Sequence, residues 1–153
     1  MKNLFKGAVL TAAAAFAFTA CNKEQQVVNR LEGEWELKTV KEYENGVLTS
    51  TGNGLVAGET IIFDFEKCKL KSDDYCDFTI KYIESGNTQT DSYKYKISDD
   101  GKTFVWDNDY NSDTSADQEN FTINESSKKS FKISITEIDG SDTYKTEFEL
   151  EPK

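Results

Sequence analysis

From residue 31 to its end the chain is a train of short runs in which apolar and polar residues alternate with period two, separated by clusters of Gly, Asn, Asp and Ser. Alternation sends successive side chains to opposite faces of a strand, so each run offers one apolar face and one wet face. A succession of such runs with turn residues between them is the pattern of a β-sandwich or barrel. Eight runs are legible, at residues 34–43, 61–66, 76–83, 91–98, 102–107, 119–124, 130–138 and 143–151. In the first, Trp35, Leu37 and Thr39 share a face until Val40 breaks the rhythm, where a bulge is expected. Asn45-Gly46 marks a turn that needs positive φ, and the Gly-rich stretch 51–58 reads as a loop long enough to act as a lid. Asp99-Asp100-Gly101 and Asp139-Gly140 mark further turns.

Short turns join neighbours, so the runs predict an antiparallel meander. The single proline, Pro152, lies beyond the last run. An eight-stranded meander with one apolar face removes its edges most simply by closing into an up-and-down barrel. The fold expected is therefore all-β, an eight-stranded antiparallel up-and-down barrel over residues 31–153. Before it, residues 21–30 read as a polar tether with a short helical turn at 25–30. Thirteen rings fall on the inward face: Trp35, Phe63, Phe65, Phe78, Tyr82, Tyr93, Tyr95, Phe104, Trp106, Phe121, Phe131, Tyr144 and Phe148. Each buries about 150–250 Å², so they are expected to leave little space. The lining of any pocket would come first from Tyr82, Tyr93 and Tyr95, whose hydroxyls need partners, and from Trp106.

The first twenty residues have a different character. Lys2 and Lys6 precede an apolar, small-residue run from 7 to 20 that is too short to span a bilayer, the arrangement of a cleavable secretory signal. The following Phe18-Thr19-Ala20-Cys21 resembles the lipobox of bacterial lipoproteins. That resemblance implies cleavage before Cys21, a diacylglycerol on its thiol and attachment to a membrane through more than one acyl chain. Asn22 is not the Asp associated with inner-membrane retention in enteric bacteria, and Lys23-Glu24 is similar to the start of the surface-export signal of Bacteroidetes lipoproteins. The location implied is the outer membrane of a Gram-negative cell, facing the periplasm or the surface. With Cys21 given to lipid, Cys68 and Cys76 are left as an even pair in an oxidising compartment, and a disulfide is expected rather than two reduced thiols or a metal site.

Leu31-Glu32-Gly33-Glu34-Trp35-Glu36-Leu37 resembles the Leu-x-Gly-x-Trp-x-Leu opening of lipocalin-like lipoproteins of the Bacteroidetes, and Gly33-x-Trp35 is similar to the first-strand signature of lipocalins. The resemblance implies a glycine that lets the chain turn into the barrel and a tryptophan that plugs its closed end. The arginine that packs on that tryptophan in classical lipocalins has no counterpart, since none follows Arg30.

Chemistry is sparse. The chain has no histidine, and with its mature thiols paired the usual nucleophile and base arrangements are lacking, so no enzyme activity and no cofactor are expected. Asp107, Asp109, Asn111 and Asp113 place oxygens at alternate positions like the first half of an EF-hand loop. Ser112 stands where that loop needs glycine, and Gln118 where it needs a bidentate Glu. A solvated acidic loop without metal is the expectation. Removing residues 1–20 takes away two lysines and no acid, which deepens a formal net charge already at −10. Such a balance disfavours nucleic acid as a partner. The functions left are a membrane-anchored binder of a small hydrophobic molecule or envelope component, or an interaction module with a filled core that touches protein or glycan. No protein partner is legible.

Overall fold

A computed structural model of the chain describes residues 22–53, 55, 58–70, 75–108 and 118–153. One helix, α1 (Lys23–Leu31), precedes nine strands: β1 (Gly33–Glu44), β2 (Val47–Gly52), β3 (Thr60–Phe65), β4 (Cys76–Glu84), β5 (Asn87–Ile97), β6 (Thr103–Asp107), β7 (Gln118–Ser126), β8 (Phe131–Asp139) and β9 (Asp142–Pro152). The sheet order is β2-β1-β3-β4-β5-β6-β7-β8-β9, and β9 returns to pair with β1. Every pairing is antiparallel. β1 and β3 to β9 therefore close the eight-stranded barrel that the alternation predicts, with β2 as an extra strand outside the ring.

β2 departs from the sequence reading for a definite reason. Its residues, Val-Leu-Thr-Ser-Thr-Gly, carry no period-two contrast, and all six are exposed. The strand forms because Asn45 (φ 52°) and Gly46 (φ 80°) make a two-residue turn whose twist suits a hairpin. β9 runs along one edge of β1, so the other edge is shared: Gly33 to Glu36 pair with β3, and Val40 to Glu44 pair with β2. Thr51 and Gly52 thus belong to a strand and not to the loop expected at 51–58, of which residues 54, 56 and 57 lie outside the described residues. Ser85 (φ 48°) and Gly86 (φ 83°) form a second two-residue turn, which extends β4 and β5 through the segment 84–90 that sequence left unassigned.

The expected bulge exists but sits earlier. The β1–β9 register shifts between Leu37 and Thr39. Leu37 opposes Leu150 and Val40 opposes Phe148, so the extra residue turns Val40 inward and puts Thr39 on the outer face, contrary to the expected Trp35-Leu37-Thr39 stripe. The outer face carries ion pairs between strands, with Lys81 bridging Glu34 at 2.7 Å and Asp64 at 2.8 Å, and Lys132 reaching Glu149 at 3.0 Å.

Residues 23–31 are part of the folded unit, not a tether. The Asn22 side chain caps α1 by accepting from the Gln25 amide. Val27, Val28 and Leu31 face the barrel and are buried with its core. The Gln25 carboxamide clasps the β3–β4 connection, donating to the Cys68 carbonyl (3.0 Å) and accepting from the Leu70 amide (2.8 Å). Arg30 donates to the Ser126 carbonyl at the end of β7. Gly33, at φ 113°, carries the chain from helix to barrel; its α-carbon faces open space, so the backbone angle and not crowding calls for glycine. Trp35, only 2% exposed, donates its indole N–H to the Leu31 carbonyl at 2.7 Å, which locks the helix onto the end of the barrel.

The expected disulfide joins Cys68, just after β3, to Cys76, the first residue of β4, with α-carbons 5.7 Å apart. Closing a loop with a sequence separation of 8 contributes about 2.5 kcal/mol by restricting the unfolded chain. The Cys68→Ala/Cys76→Ala protein is expected to unfold at lower urea concentration by that amount, and dithiothreitol is expected to have no further effect on it.

Candidate functional site

The turns divide the barrel into two ends. α1, the Cys68–Cys76 connection and the turns at 98–102 and 127–130 gather at one, which is closed; the turns at 45–46, 85–86 and 140–141 lie at the other. The inward side chains differ accordingly. Toward the closed end, rings stack into a plug: Phe65 lies 5.4 Å from Phe78 and 5.3 Å from Tyr95, and Tyr95 lies 5.3 Å from Phe104. Phe131 and Trp35 complete it from the other side. Offset and edge-to-face contacts of this kind add to the burial of the rings themselves.

Above the plug the rings give way to aliphatic residues and the barrel is hollow. A cavity of about 450 Å³ is lined by Leu37, Ile61, Phe63, Ile80, Tyr82, Trp106, Glu119, Phe121, Ile133, Ile135, Glu137, Thr146, Phe148 and Leu150. Its floor is the layer Phe63, Trp106, Phe121 and Phe148, each ring about 6 Å from the next. That volume lies in the ~300–1,000 Å³ range of small-molecule sites, and an apolar wall with few polar groups is their usual chemistry. The expectation that thirteen rings would fill the barrel holds for its closed half only. Tyr82 (37% exposed) and Tyr144 (42% exposed) sit at the rim, where the bore is open.

The four candidate lining residues separate. Tyr82 and Trp106 line the cavity. Tyr93 packs behind Trp106, with ring centres 5.2 Å apart, and against Phe78. Tyr95 is wholly buried in the plug. The residues missed are mostly aliphatic: Leu37, Ile61, Ile80, Ile133 and Ile135. Ranking by aromaticity passed over them, although their inward parity was readable in the same alternation. Burial, helped by Tyr93 and Asp91, raises the Tyr82 phenol above the ordinary tyrosine value, so the group presents a neutral O–H at the rim. The Trp106 indole N–H is buried without a hydrogen-bond acceptor. A buried donor in that state is destabilising until something accepts from it.

Of the calcium-like series, Asp107 ends β6, is buried and accepts a long hydrogen bond from Gln118 (3.4 Å). Asp109, Asn111 and Asp113 lie outside the described residues, as does Cys21. Among the described residues no three acidic, cysteine or histidine side chains gather in a way that could hold a metal ion, and no helix is long and apolar enough to cross a membrane. No family model matches the chain, and no curated protein matches it.

Tyr95 supplies a test of the plug. Its hydroxyl is buried without a partner, and burial pushes the phenol far above the tyrosine range. A raised folded-state value means that this stabilisation is complete below the unfolded value near ~10 and is lost as pH rises beyond it. Tyr95→Phe is expected to leave stability at pH 7 unchanged or higher by about 1 kcal/mol. It is also expected to shallow the loss of stability above about pH 10, as read from urea melts at pH 7, 10 and 11.

Proposed function

We propose that this protein is a non-catalytic, lipid-anchored, lipocalin-like binder that holds a small hydrophobic molecule in the open half of its barrel. One observation carries the reading: the barrel is packed solid with rings at one end and empty at the other, where aliphatic side chains surround about 450 Å³. A barrel serving only as a rigid surface gains from filling that space, because unfilled apolar volume forfeits packing energy. The orphan Trp106 N–H and the Tyr82 hydroxyl are polar groups in a wall that also holds Thr146, Glu119 and Glu137, and they are suited to orient one end of a guest.

The anchor fits this arrangement. With acyl chains on Cys21 and α1 starting at Lys23, one residue separates membrane from fold. The helix-capped end then rests near the bilayer and the mouth points away from it. The outer membrane is the location this reading favours.

Two outcomes are expected. Intact mass of the protein purified from a lipoprotein-processing Gram-negative host shows loss of residues 1–20 and gain of acyl chains, and Cys21→Ala abolishes both. The neutral dye N-phenyl-1-naphthylamine brightens on binding, with Trp106 emission falling in parallel, and Ile135→Trp, which fills the cavity from a half-buried wall position, weakens binding by about tenfold or more without lowering the melting temperature. Equal dye binding by Ile135→Trp overturns the cavity as the site.

A further inference from the structure

The cavity mouth has a charge that says which kind of guest it takes. The described residues around the open end fall in the stretches 42–53, 58–63, 82–91, 106–108, 118–121 and 135–144. None of them contains a lysine, arginine or histidine. Within them, carboxylates fall on the inward register. Glu119 lies opposite Trp106, and Glu137 opposite Tyr144; both glutamates line the cavity. Asp91 lies opposite Ile80, another wall residue. The lysines nearest the mouth in sequence belong to the other face, where Lys81 is held by Glu34 and Asp64, Lys94 by Asp77, Lys132 by Glu149 and Lys145 by Glu147. Among the described residues no cation pairs with Glu119 or Glu137; the Glu119 carboxylate accepts only from the Asn108 side chain.

Resting on the binding reading above, we propose that the guest is a cationic amphiphile: an apolar body in the cavity and an amine or ammonium head between Glu119 and Glu137 at its mouth. An anionic head, such as a fatty-acid carboxylate, meets like charge from Glu119 and Glu137 and, among the described residues, finds no basic side chain lining the cavity to pair with. A neutral head gains nothing from the field. An ammonium at the mouth gains from both carboxylates, and the face of Tyr82 at the rim adds the attraction that aromatic rings offer cations. The same field raises the local concentration of cationic guests and repels anionic ones before contact.

The test displaces N-phenyl-1-naphthylamine from the full chain with three guests of equal length, dodecylammonium, dodecanoate and dodecanol, at neutral pH and low salt. Dodecylammonium is expected to compete at a concentration at least about tenfold lower than dodecanoate, with the gap narrowing as salt is added. Glu119→Gln/Glu137→Gln, at two exposed positions, is expected to bring the two charged guests within about twofold of each other and to leave dodecanol unchanged. If dodecanoate binds as tightly as dodecylammonium, or the double variant keeps the preference, the head-group assignment is overturned while the cavity reading stands. If none of the three displaces the dye, the cavity reading falls and takes this inference with it.

Discussion

The hydrogen-bonded seam between β1 and β9 is what the rest of the structure depends on. It runs from Trp35 opposite Pro152 to Glu44 opposite Tyr144 and joins the first strand to the last. Without it the molecule has two long unpaired edges and a sheet curled over nothing; with it, every inward side chain faces others across an enclosed bore. The seam requires β1 to present apolar residues inward along its length, and the sequence of β1 does not do so with strict alternation. The bulge at Lys38 resolves the conflict by absorbing one residue, so that Leu37 and Val40 both face in. The neighbouring strand pairs the same stretch: β2 takes over from β3 where β1 leaves the closed end. Hydrogen bonding on β1 is thereby satisfied on both edges through most of its length.

The two halves of the bore serve different ends by differing in side-chain size. In the closed half, rings from six strands meet across a narrow space and leave no room, and α1 seals what remains with Val27, Val28 and Leu31. In the open half, above the floor of Phe63, Trp106, Phe121 and Phe148, the inward positions are held by isoleucines, leucines, a threonine, carboxylates and Tyr82 at the rim, and a space remains between them. A solid base and a hollow mouth follow from the order of residues along each strand, with no special device.

Charge is partitioned by the same alternation. Lysines occur at outward positions, where carboxylates such as Glu34, Asp64 and Glu149 pair with them, and the charged residues that line the cavity, Glu119 and Glu137, are acids. Surface pairs of this kind contribute little to stability individually. Their larger effect is to hold cations on the outer wall and leave the mouth negative.

The sequence by itself determined the barrel, because period-two alternation assigns each residue a face and short turns make consecutive strands neighbours. It also pointed to the disulfide, since Cys68 and Cys76 flank one polar connection between two strand-like runs, and to the inward parity of Tyr82, Trp106 and the wall isoleucines. It did not reveal β2, whose exposed residues carry no contrast and whose pairing comes from a turn. Nor did it reveal the docking of α1, since Val27, Val28 and Leu31 are too few to show a periodicity and need the barrel end to bury against. Tertiary structure alone decided where the bore is filled. Whether an inward ring meets another ring or empty space depends on the heights at which strands of different register place their side chains. That height is set by the shear of the closed sheet and the Lys38 bulge, neither of which is a local property of any run of residues.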